Sequence, residues 1–288
     1  MRDELRAAVV AVAVVGALGG EARAADHADT PNLVAVARHD GRITDLHAFT
    51  VGDNLVLSLS TNPNIAVGVT SYAFPADAKF RFHIDKKAKV NFDDPVANTT
   101  YGGAIEKPHR VESDITIEIT FPGGVPTANV EGANICGLEL YSGLRDDPFI
   151  RGPRQGRNIG AIVVQFPLSE IINHHGRNRT LLIWATSDVP NINGMIEEHG
   201  GRALRSQFAP NDPMNNLPPA EHFNILGLVP DVIIFDTSRP AAFPNGRALT
   251  DDVVDLVADP GTLASDAPFP SGNDKPFLGS FPYLAEPW

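Results

Sequence analysis

"ITIEITF", Ile115 to Phe121, alternates strictly. Ile115, Ile117, Ile119 and Phe121 point one way; Thr116, Glu118 and Thr120 point the other. Side chains alternate across a strand, so this pattern specifies a β-strand with one face buried and one polar. "LVLSLS" (Leu55 to Ser60) and "FRFHID" (Phe80 to Asp85) repeat it. "ITDLHAF" (Ile43 to Phe49) runs into Gly52-Asp53-Asn54 and then into Leu55, which predicts a hairpin. "AIVVQF" (Ala161 to Phe166), "LLIWAT" (Leu181 to Thr186) and "DVIIF" (Asp231 to Phe235) are apolar on both faces and predict central strands of a covered sheet.

Helices are few and short in this reading. "LSEIINHHG" places Leu168, Ile171, Ile172 and His175 on one stripe, with His174 facing solvent and Gly176 as a stop. "NGMIEEHGG" (Asn193 to Gly201) is a weaker second helix. In "NGRALTDDVVDLVADP" (Asn245 to Pro260), Asn245-Gly246 turns, Thr250 caps, and Asp251 and Asp252 enter the first turn, where the helix dipole favours them. Val253, Leu256 and Val257 would be its buried face. Asn211 to Pro219 reads as the longest loop. There is no internal repeat and no linker-like break. The expectation is a mainly β chain: one β-rich domain over 25–288, sandwich-like in two packed layers, with a few short peripheral helices.

Residues 1–24 read as a signal peptide. Arg2 and Arg6 precede an uncharged run, Ala7 to Gly20, that is shorter than the roughly 20 apolar residues needed to span a bilayer. Ala22-Arg23-Ala24 supplies a small-x-small cleavage site. The expected location is therefore the bacterial periplasm or the exterior, with no membrane span in the mature chain. Three basic and three acidic side chains lie within 1–24, so cleavage leaves the net charge at -12. That charge argues against nucleic acid as a partner and makes cations plausible ones. The single cysteine, Cys136, precludes an internal disulfide; its apolar neighbours predict a buried, inert thiol.

Motifs for nucleophilic, zinc-protease, nucleotide and redox chemistry are missing from the sequence. The candidate site residues are acidic or imidazole groups: His27, Asp29, Asp45, Asp146 and Asp147, a set suited to a divalent metal. Asp146-Asp147 in "LRDDPF" reads either as a turn or as a carboxylate pair at a loop tip. Asp45 and His47, two apart on a strand, share a face with Ile43 and Phe49. Either that face is interior and both polar groups must be satisfied, or it is surface and two apolar groups are exposed. His83 and Asp85 read as a surface pair. Processing after Ala24 would expose Ala25-Asp26-His27, whose amine, two amides and imidazole could chelate Cu(II) or Ni(II). The competing reading holds His27 inside the fold against Asp29 or Asp45.

Several stretches together resemble a known family. "DHADTPN", "ITDLHAF", "TNPN", "GLRDDPF", "WATS", "FPNGRALTDDVVD" and the ending "FPYLAEPW" are similar, in order, to landmarks of the bacterial exported family of unknown function numbered 4331. The resemblance implies a secreted or periplasmic protein and implies no reaction. Relatives often carry an Asp-rich, calcium-like loop after the third strand. Here that stretch is "HIDKKAKVNFDD", where Lys86, Lys87 and Lys89 oppose a hard cation. Three function classes follow: an exported non-catalytic protein binding a divalent metal, a small ligand or a cell-surface component; a metal-assisted hydrolase using His27, Asp29, Asp45, Asp146 and Asp147; or a purely structural surface β-protein.

Overall fold

The computed structural model describes residues 31–150, 156–172, 179–191, 194–203, 214–257 and 270–288. Twelve strands lie in these ranges: β1 (Ile43–Val51), β2 (Asn54–Ile65), β3 (Lys79–Asp85), β4 (Val90–Asn91), β5 (Ala104–Ile105), β6 (Ile115–Thr120), β7 (Thr127–Glu131), β8 (Glu139–Asp146), β9 (Asn158–Pro167), β10 (Thr180–Asn191), β11 (Gly194–Gly200) and β12 (Ile233–Asp236). Four short helices accompany them: α1 (Pro31–Ala35), α2 (Pro95–Tyr101), α3 (Pro219–Asn224) and α4 (Val253–Val257).

One sheet has the order β1-β2-β9-β8. The larger one runs β11-β10-β3-β6-β7, with β12 also on β10, and every pairing is antiparallel. β4 and β5 form a separate two-stranded ladder. The predicted hairpin joins β1 to β2 through Gly52-Asp53, with Gly52 in the left-handed region at φ 58°.

The two sheets face each other across one core. Ile115, Ile117 and Ile119 of β6 and Phe80, Phe82 and Ile84 of β3 meet Leu55, Leu57 and Leu59 of β2 and Ile162 and Val164 of β9. All are fully buried, and each such side chain contributes roughly 1.5–3 kcal/mol. The strands that are apolar on both faces have a second cover. Behind β9, Ile159, Ala161 and Val163 pack against Leu249, Tyr283 and Leu284. Behind β10, Leu182 and Trp184 pack with Val111, Val232 and Ile234, against Val90 and Ile105 of the small ladder. β12 is covered as expected but sits at an edge: it pairs only with β10, and its far side meets the Gly246 N–H and the Asn245 side chain.

Several local expectations are corrected. Gly194 to Gly200 is a strand, β11, because pairing with β10 overrides a weak helical pattern. The described part of "LSEIINHHG" is one 3-10 turn, Leu168–Glu170, with Leu168, Ile171 and Ile172 in the core; His174 and His175 lie outside the described residues. The cap of α4 is Asp252, whose Oδ1 accepts from Asp255 N at 3.3 Å, rather than Thr250. Asp251 instead turns back to accept from the Ala248 and Phe243 N–H groups at 2.7 and 3.0 Å. Val253 is buried but Leu256 is exposed, and the helix begins two residues later than the pattern suggested. Cys136 is exposed, on a loop whose N–H groups bind Glu170, so its apolar neighbours did not carry it inward. Among the described residues no helix is long and apolar enough to cross a membrane.

Candidate functional site

The outer face of the four-stranded sheet is where candidate residues gather. Register sets the rows. Phe49, Val56, Gln165 and Glu139 are cross-strand neighbours; so are His47, Ser58, Val163 and Tyr141, and then Asp45, Ser60, Ala161 and Gly143. Leu46 and Ala48 face the core between the sheets. A register shift between Ile43 and Asp45 inserts Thr44 as an extra residue, so Ile43 joins that core and does not share a face with Asp45. The question posed by "ITDLHAF" is thereby resolved: both faces of β1 are covered, and Asp45, His47, Ser58 and Ser60 are all at most 1% exposed.

Arg247 enters this face from the far end of the chain. Its backbone bridges to Ala48, accepting at 3.1 Å and donating at 2.9 Å. That approach requires Gly246, at φ 69°, where a Cβ would stand 2.7 Å from the Ala48 carbonyl oxygen. The guanidinium then pairs with Asp45 at 2.5 Å, with both side chains 1% exposed. It also reaches the Leu46 carbonyl at 3.4 Å and lies 5.9 Å from the Phe149 ring centroid. In contrast, the hydroxyls of Ser58 and Ser60 have no hydrogen-bond partner among the described residues. Tyr283 closes the row above, donating to Gln165 Oε1 at 2.5 Å; burial raises its pKa and keeps the phenol protonated.

Asp146 and Asp147 are not a loop-tip pair. Asp146 ends β8 and both residues are buried, Asp146 against the C-terminal segment. Asp146 accepts from the Trp288 indole at 2.8 Å and from Asn273 Nδ2 at 2.7 Å. Asp147 accepts from the Phe149 N–H at 3.1 Å, the expected turn contact. His27 and Asp29 lie outside the described residues. Among the described residues no group of three or more His, Cys, Asp or Glu is arranged to hold a metal ion.

A second buried polar cluster escaped sequence reasoning. On the large-sheet side, His199, His222 and Asp231 are at most 2% exposed. His222 Nδ1 accepts the Asp231 N–H at 3.1 Å, so its proton is on Nε2, which faces the Met214 and Leu217 carbonyls at 3.0 Å each. His199 Nε2 donates to the Asp231 carbonyl at 2.7 Å. These contacts tie loops together and leave His222 no nitrogen for a ligand. Nearby, His83 is stacked on Trp184 at 5.1 Å, and burial is the first cause lowering its pKa to about 3. Asp85 is buried rather than superficial, accepting from the N–H groups of Lys87 and Ala88 at 2.8 Å; burial raises its pKa against those bonds. The missed residues Arg247, Ser58 and Ser60 had only faint signals. The serines sat on the polar side of an alternating strand, which reads as solvent-facing until "FLGSFPYL" (Phe277 to Leu284) is known to cover it.

Fold and site together define an all-antiparallel β-sandwich with a polar network buried on the outer face of its smaller sheet. No family model, curated protein or solved structure matches the chain.

Proposed function

We propose that the chain is an exported, non-catalytic protein that binds a small polar ligand against the outer face of the four-stranded sheet. The observation that carries this is the buried pair of hydroxyls on Ser58 and Ser60, unpartnered among the described residues, beside the Asp45–Arg247 ion pair. An unsatisfied buried polar group costs about 1–3 kcal/mol. Packing does not demand serine there, since the neighbouring β9 positions in the same rows are Val163 and Ala161. A ligand that hydrogen-bonds both hydroxyls offsets that cost. A divalent metal is the weaker form of the reading: the Arg247 cation stands where a metal at Asp45 would, and both Asp146 oxygens already accept N–H donors. The metal-assisted hydrolase is weaker still, because Asp45 is paired with Arg247 and Asp146 is held by Trp288 and Asn273. Export and kinship with family 4331 rest on the 1–24 pattern and the ordered landmarks.

The test is native mass spectrometry with metal analysis on tag-free protein isolated from the periplasm or medium. The expected result is a small organic adduct, released on denaturation and lost in Ser58→Ala/Ser60→Ala. No adduct, together with a Ser58→Ala/Ser60→Ala protein more stable than wild type, refutes the reading. A stoichiometric divalent metal would replace it with the metal form.

A further inference from the structure

A cavity of about 260 Å³ opens on the other side of the molecule, between the turn after β3, strand β5 and the 3-10 turn Pro108–Arg110. Its charged lining is unusual. Lys89, Lys107 and Arg110 bring positive charge and Glu106 and Glu112 negative charge, yet none of these five makes an ion pair among the described residues. The other two charged lining groups are already committed. Asp85 holds three backbone N–H groups, and Lys87 pairs with Asp114 outside the lining. Ala88 and Ile105 supply an apolar wall that continues into the cluster behind β10.

Arg110 and Glu112 are set side by side. They flank Val111, which is buried at the end of the 3-10 turn, whereas Arg110 and Glu112 are both exposed and both line the cavity. We propose that this cavity binds a small zwitterion of free-amino-acid size. The Arg110 guanidinium receives the carboxylate, for which its planar fork is suited, and Glu112 receives the ammonium. The mixed lining selects against the simpler ligands. A phosphate meets Glu106 and Glu112, and a divalent cation meets Lys89, Lys107 and Arg110. A sugar ring finds no aromatic side chain to stack on.

The experiment is calorimetric titration of the full protein with each of the twenty standard L-amino acids, singly, with inorganic phosphate and 1,4-diaminobutane as controls. At least one amino acid should bind saturably, with affinity falling at least about tenfold in Arg110→Ala and again in Glu112→Ala. Its N-acetylated form, lacking the ammonium, should not bind. Both substituted side chains are exposed, and Lys107→Ala provides a third variant of the same lining. Binding of phosphate or diaminobutane in place of an amino acid overturns the proposal. So does binding that both variants leave unchanged, or no binding at all. None of these results bears on the serine site behind β2, which is lined by different residues.

Discussion

Removing one partner of the Asp45–Arg247 pair should be among the most damaging single changes in this protein. The two groups are 2.5 Å apart and 1% exposed, so water cannot replace either. In Arg247→Met the Asp45 carboxylate, in a residue that is 0% exposed, loses the Arg247 guanidinium. Breaking a buried pair in this way costs about 3–5 kcal/mol. At about 2–4 °C per kcal/mol for a domain approaching this size, the melting temperature should fall by roughly 6–20 °C. Asp45→Asn, which strands the arginine instead, should fall in the same range. The double change Asp45→Asn/Arg247→Met removes both charges and keeps much of the volume, so it should lose less than the sum of the single changes. A double-mutant cycle by urea denaturation measures the coupling. Single changes each losing under about 1 kcal/mol, as exposed pairs do, or a strictly additive double change, would refute the reasoning.

Other outcomes follow from individual contacts. Because His83 titrates near 3 in the fold and near 6.5 unfolded, its contribution is complete above pH 6.5 and lost as pH falls through that window. His83→Gln should therefore flatten the stability loss between about pH 6.5 and 4; identical pH slopes in urea unfolding count against it. Asp146→Ala frees the Trp288 indole and Asn273, should cost about 1.5–3 kcal/mol for a charge-assisted bond, and should speed limited proteolysis near the C-terminus while leaving metal content unchanged. Asp252→Ala should cost about 1 kcal/mol as a lost cap, whereas Thr250→Ala should stay within about 0.5 kcal/mol. Thermal melts of the pair decide the assignment, and a larger loss at Thr250 would reverse it.

Period-two alternation was legible wherever one face of a strand meets the core. "ITIEITF", "LVLSLS" and "FRFHID" became β6, β2 and β3, with the predicted side inward. The doubly apolar runs also declared themselves, because only a strand covered on both sides can hide two apolar faces. β7, β8 and β11 were not legible. They carry Gly, Asn and Glu at strand positions, and pairing with stronger neighbours decided their conformation.

The candidate site divides the same way. Asp45, His47 and the Asp146-Asp147 pair could be picked out by residue type, since buried carboxylates and imidazoles need partners whatever the fold. Their partners could not. Arg247 reaches Asp45 across 202 positions of sequence, Trp288 reaches Asp146 across 142, and a bulge at Thr44 decides which side of β1 Asp45 faces. The amino-acid sequence by itself determined the strands and which of their faces seek an apolar neighbour, because alternation is a local property of the extended chain. Only the tertiary structure decided which polar faces are buried and what they touch. That depends on where the C-terminal segment comes to rest, and no local pattern encodes it.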